Sequence, residues 1–117
     1  MIVAGLGCRA GVPLASVQDL LADLRPDALA VLDMRAQEAA VQALGLPLIV
    51  IAPDAIAEIT TPTQSPRILA RFATGCVAEA LALVAAGPGA CITRERRISA
   101  DGMATLAIAR SSEESLS

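Results

Sequence analysis

Three short apolar runs, at residues 2–5 (IVAG), 28–32 (ALAVL) and 48–52 (LIVIA), set the frame for this chain. Between them the apolar residues recur at helical spacing. Leu14, Val17, Leu20, Leu21 and Leu24 form one such face, with Ser16 and Asp19 as an S-x-x-D start signal and Pro26 as its stop. From Arg35, the alanines at 36, 39, 40 and 43 with Val41 and Leu44 form a second face, stopped by Gly45 and Pro47. Strand, helix, strand, helix, strand is the pattern of right-handed crossovers that builds a parallel sheet.

The remainder has a different character. After Pro53 a short helical turn, 54–59, leads into the hydroxyl- and proline-rich loop TTPTQSP. Such loops often carry function. Ser65 before Pro66 starts another helix, and Thr74-Gly75 interrupts before a strongly helical run from Cys76 to Ala86, closed by Gly87-Pro88. Residues 90–95 and 103–109 flank Asp101-Gly102, a hairpin signal, so two antiparallel strands finish the sheet. The expected fold is a three-layer α/β/α sandwich around a mixed five-stranded sheet. It forms a single domain over 1–110 with a disordered tail at 111–117.

A length of 117 residues suits one domain, and 55% hydrophobic content with Phe72 as the sole aromatic residue means a core of Ala, Leu, Val and Ile. Alanines bury little area each, so a homodimer contact is a plausible addition. The net charge of −3 and the lack of aromatic stacking platforms argue against nucleic acid. No apolar run has the length of a membrane span and no signal peptide opens the chain, so a cytoplasmic protein with no membrane partner is expected. Cys8, Cys76 and Cys91 are odd in number and widely spaced, which predicts neither disulfides nor a metal site. Cys76 and Cys91 are assigned to the core.

The chain contains no His, Lys, Tyr, Trp or Asn. The usual general base, the Schiff-base amine and the imidazole metal ligand are therefore excluded, and with them any Ser-His-Asp or Cys-His site within this chain. Carboxylates, thiols, hydroxyls, arginines and backbone amides must do whatever chemistry is done.

The segment GLGCRAG, Gly5 to Gly11, leaves the first strand with a loose G-x-G-x-x-G/A pattern, and Asp33 ends the second strand where a ribose-binding acid would sit. A dinucleotide site, another anion site, and glycines that merely permit a tight turn all fit this pattern. Pro13 lengthens the approach to the helix, which counts against the dinucleotide, and no cofactor is expected. Cys8 reads either as a low-pKa thiolate beside Arg9 or as an inert buried thiol.

GLGCRAG, then DMRAQEAAV, PLIVIAPDAI, ATGCVAEALALVAAG and TLAIAR, in that order, resemble the cobalamin-biosynthesis family made of CobE and the C-terminal domain of CbiG. The resemblance covers nearly the whole chain up to Arg110 and is nearest to the free-standing CobE. It implies an α/β/α fold and a role in corrin-ring assembly, with a precorrin or corrinoid intermediate and other cobalamin-biosynthesis enzymes as partners. It also implies, through CbiG, an alternative as a hydrolase that opens a precorrin lactone and releases acetaldehyde. Where members commonly carry lysine, this chain has Arg35 and Thr93-Arg94. Arginine does not titrate, so electrostatic binding survives that change better than acid–base chemistry.

Corrin precursors carry several carboxylates, and open α/β sheets bind ligands beyond the carboxyl ends of their parallel strands. The candidate ligand-binding residues are therefore Gly5, Gly7, Cys8, Arg9 and Gly11 at the first exit, and Asp33, Arg35 and Glu38 at the second. Thr74, Gly75 and Glu79 at a helix start complete the set. Arg9 and Arg35 offer bidentate forks, or else are solvated charges paired with Asp33 and Glu38. Glu38 and Glu79 are the candidate bases under the hydrolase reading, although Glu79 also suits a helix N-terminus.

Overall fold

The computed structural model describes residues 1–22, 24–72 and 74–112. A mixed sheet of order β3-β2-β1-β5-β4 runs through the middle of the molecule. Strands β1 (Ile2–Cys8), β2 (Ala28–Leu32) and β3 (Leu48–Ile51) are parallel, and β4 (Cys91–Ile98) and β5 (Ala104–Arg110) form the antiparallel hairpin, with β5 paired to β1. This is the expected α/β arrangement of three parallel strands and a C-terminal hairpin.

Both faces of the sheet are covered, which is why β2 is buried at every position and shows no polar alternation. On one face Leu6, Leu29, Val31, Leu106 and Ile108 pack against Val17, Leu20 and Leu21 of helix α1 (Leu14–Leu21) and Val41 of α2 (Ala39–Ala43). On the other, Val3, Ala30, Leu32 and Ile51 meet Ile56 of α3 (Pro53–Ile56) and Val77, Ala80 and Leu81 of α5 (Val77–Ala86). Helix α4 (Pro66–Phe72) joins this second layer and has no buried residue of its own. Among the described residues no single helix is long and apolar enough to cross a membrane.

Several boundaries differ from those expected. Strand β1 continues to Cys8 because β5 pairs with it from Ile2 to Cys8, so Gly5 and Gly7 lie within the strand and the turn begins at Arg9. Helix α1 starts at Leu14, behind Pro13, and Ser16 is not its cap: the Ser16 hydroxyl donates to Asp101 at 2.6 Å. The second helix is confined to 39–43, since Asp33–Arg35 forms a separate 3₁₀ turn and Glu38 is extended. Strand β4 runs on through Arg94, Glu95, Arg96 and Arg97, charges that an edge strand tolerates. Cys91, at its start, is exposed and is not a core residue.

Beyond the boundary expected at 110, the Ser111 amide donates to the Met1 carbonyl and the Ser112 hydroxyl to the Pro88 carbonyl. These two residues therefore continue the folded chain rather than a disordered tail. Residues 113–117 of the expected tail lie outside the described residues.

Candidate functional site

The carboxyl ends of β1 and β2 open onto a cleft of about 540 Å³, bounded otherwise by α4, the start of α5 and the β4–β5 hairpin. Five guanidinium side chains line it: Arg9 after β1, Arg35 after β2, Arg67 and Arg71 on α4, and Arg96 on β4. Apolar side chains, among them Met34, Phe72, Ile98 and Met103, line the rest. Among the described lining residues none is a carboxylate.

Each arginine is placed by a different local cause. The Arg35 Nε donates to the Cys8 carbonyl at 2.9 Å, tying the exit of β2 to that of β1. Arg9 opens the turn after β1, where its amide bonds the Met103 carbonyl and its carbonyl accepts from Val12. Arg67 and Arg71 are one helical turn apart and so share a face of α4, with the Arg71 guanidinium 5.0 Å from the Phe72 ring centroid. Arg96 is set on β4 by its amide, which donates to Glu79 at 2.9 Å.

The glycine pattern resolves into three unrelated roles. A Cβ at Gly5 would overlap the Ala78 carbonyl oxygen and lie 2.7 Å from the Ala82 nitrogen, so this glycine lets α5 approach β1. Gly7 lines the cleft, and a Cβ there would fall 2.9 Å from the Thr105 hydroxyl. Gly11 has φ +77°, which the turn requires, and its amide donates to Glu38 at 2.9 Å. The anion held by this turn is the chain's own carboxylate. No helix begins directly behind these glycines, the context a dinucleotide fingerprint demands.

Of the other expected residues, Cys8 lines the cleft as a protonated thiol. Burial pushes its pKa up to about 11, opposed by Arg35 and aided by Glu38. That favours the inert thiol over the thiolate. Burial likewise raises Cys76. Asp33 is exposed in the 3₁₀ turn and Glu38 is committed to Gly11, both away from the cleft wall.

Thr74, Gly75 and Glu79 also lie apart from it. The Thr74 hydroxyl donates to Ile59, and a Cβ at Gly75 would sit 2.5 Å from the Thr63 carbonyl oxygen. Glu79 is wholly buried and accepts from the Thr63 amide and hydroxyl, each at 2.8 Å, as well as from Arg96. Of the hydroxyls of TTPTQSP, Thr61 donates within the loop to the Thr63 carbonyl, Thr63 ties the loop to α5 through Glu79, and Ser65 lines the cleft.

Sequence reasoning missed Arg67, Arg71 and Arg96. The i, i+4 spacing behind Ser65-Pro66 was a usable signal for the first two. For Arg96 the signal was hidden, because the expected strand stopped at Glu95 and left Arg96 in the connection.

An open mixed sheet whose parallel strands end at a cation-lined cleft defines a single-sheet α/β protein with a cleft at the strand ends. The chain belongs to the family described as cobalamin synthesis G C-terminus, whose model matches residues 2–109. It is accordingly a protein of the cobalamin biosynthesis pathway. The fold is similar to that of CobE, a protein from the cobalamin (vitamin B12) biosynthetic pathway, with TM-score 0.72 and 28% identity over 94% of this chain and 89% of that one. It is also similar to the cobalamin biosynthesis protein chiG from Agrobacterium tumefaciens str. C58, with TM-score 0.70 and 29% identity over 96% and 99% of the two chains. A cobalamin biosynthesis protein G homolog from Sulfolobus solfataricus shares the fold alone, with TM-score 0.69 and 19% identity over 92% of this chain and 36% of that one. No curated protein matches the chain.

Proposed function

We propose that the protein binds a precorrin or corrinoid intermediate in the arginine cleft and serves corrin-ring assembly as an accessory or carrier. The observation that carries this reading is the convergence of five arginines with apolar side chains and, among the described lining residues, no carboxylate. Corrin precursors match that pairing, with an apolar macrocycle and carboxylates at its edge. Charge-assisted, bidentate hydrogen bonds from guanidinium to carboxylate supply both strength and orientation. The lactone-hydrolase alternative has less support, since Glu38 and Glu79 both lie outside the cleft wall and accept hydrogen bonds from the protein itself.

The test mixes purified protein with a series of precorrin and hydrogenobyrinic-type intermediates, following visible-spectrum shifts and product together. A shift without product is expected. Arg9→Ala and Arg35→Ala should each weaken binding by roughly 1.5–3 kcal/mol, the range for hydrogen bonds to charged groups. Exposure of Arg9 to solvent puts it at the lower end. Unchanged affinity in both variants overturns the site, and turnover by the isolated chain overturns the accessory role.

A further inference from the structure

We infer that the cleft recognises its ligand by the carboxylates at the ligand's edge and not by the metal at its centre, so that affinity follows the number of free carboxylates. This inference rests on the binding reading above. The five cleft arginines come from four separate segments: the exits of β1 and β2, helix α4 and strand β4. One carboxylate reaches one fork, or two adjacent ones such as those at the neighbouring exits of β1 and β2, so five forks call for more than one carboxylate. A ligand with few carboxylates leaves several like charges of one cleft without a counter-charge, whereas one with many neutralises them severally.

Helix α4 sharpens the point. Arg67 and Arg71 form a like-charged i, i+4 pair, which weakens a helix unless an anion lies across it. That helix has no fully buried residue, and its packing is limited to the half-buried Ile68 and Phe72. Both arginines nevertheless line the cleft, one turn apart, as a ready-made pair of forks on a single wall.

The centre of the ring meets no comparable provision. The chain has no histidine, guanidinium has no lone pair to give, and the Cys8 thiol stays protonated at neutral pH. Burial raises the Cys76 thiol in the same way, and the other lining side chains with lone pairs, the thioethers of Met34 and Met103 and the neutral hydroxyls of Ser65 and Thr105, are weak metal donors. The periphery is therefore where the discrimination lies.

The experiment titrates the protein with hydrogenobyrinic acid, its a,c-diamide and a fully amidated derivative, all metal-free, and with cobyrinic acid as the cobalt-containing counterpart. Amidation removes charge while keeping the ring. Affinity should fall by about tenfold or more between the acid and the fully amidated ring, as for loss of charge-assisted hydrogen bonds. Cobyrinic and hydrogenobyrinic acids should bind alike. The double variant Arg67→Ala, Arg71→Ala, confirmed as folded by circular dichroism, should narrow the gap between acid and amide. Equal affinity along the amidation series, or a strong preference for the cobalt form, overturns this inference while leaving the binding reading intact. If none of these compounds and no precorrin binds, the binding reading itself falls and this inference with it.

Discussion

Glu79 shows how much of a residue's role depends on its neighbours. A carboxylate in the first turn of a helix is favourable for the helix dipole alone. Here it is also wholly buried and accepts from the Thr63 amide, the Thr63 hydroxyl and the Arg96 amide. It therefore joins the 61–65 loop and strand β4 to α5. Glu79→Gln replaces one acceptor oxygen by a donor and leaves at least one of these groups unsatisfied, which costs about 1–3 kcal/mol per orphaned group. The melting temperature should drop by several degrees. Were Glu79 instead a base for water, the same variant would keep its melting temperature and lose turnover.

At the scale of elements, the decisive contact is α5 on β1. Helix α5 is buried on all sides through its first six residues, 77–82, and its alanines let it sit close to the sheet. Gly5 completes that fit, because any side chain at this position meets backbone rather than a yielding side chain. Gly5→Ala should destabilise the fold by about 1–3 kcal/mol, as other overpacked core substitutions do, and chemical denaturation would read it. Gly11→Ala, by contrast, meets no neighbouring atom and suffers only from its positive φ. Equal effects of the two substitutions would contradict the packing role assigned to Gly5.

Across the whole molecule, charge is segregated. The net charge is −3, yet five of the nine basic residues converge on one cleft, which concentrates positive potential where the parallel strands end. At the β4–β5 turn a polar clip closes the fold over 85 residues of sequence: Asp101 accepts from Ser16, from Ser99 at 2.6 Å and from the Met103 amide at 3.0 Å. These bonds, Ser16 first, lower the Asp101 pKa from 3.8 to about 2. A carboxylate whose folded pKa is depressed contributes stability that is present above its ordinary pKa and is lost as pH falls through the folded value. Wild-type stability should therefore decline more steeply than that of Asp101→Asn as pH drops from 3.8 towards about 2. Parallel pH profiles would remove the clip from the account.

The alternation of apolar runs with helical faces was enough to determine the strand and helix order, the parallel half of the sheet and the C-terminal hairpin. Those features are set by local periodicity and turn chemistry, which a single stretch of chain contains. That the exits of β1 and β2 lie together, with Arg9 and Arg35 beside one another at the candidate site, was also legible, because connectivity alone puts parallel strand ends together. Tertiary structure decided the rest. That Gly5 serves helix packing, that Gly11 holds Glu38, and that Glu79 is structural all depend on partners 27 or more residues away for Gly11 and 16 or more for Glu79. The same holds for Arg67, Arg71 and Arg96, whose charges count only because α4 and β4 are folded back over the strand ends, a proximity that exists in space and not along the chain.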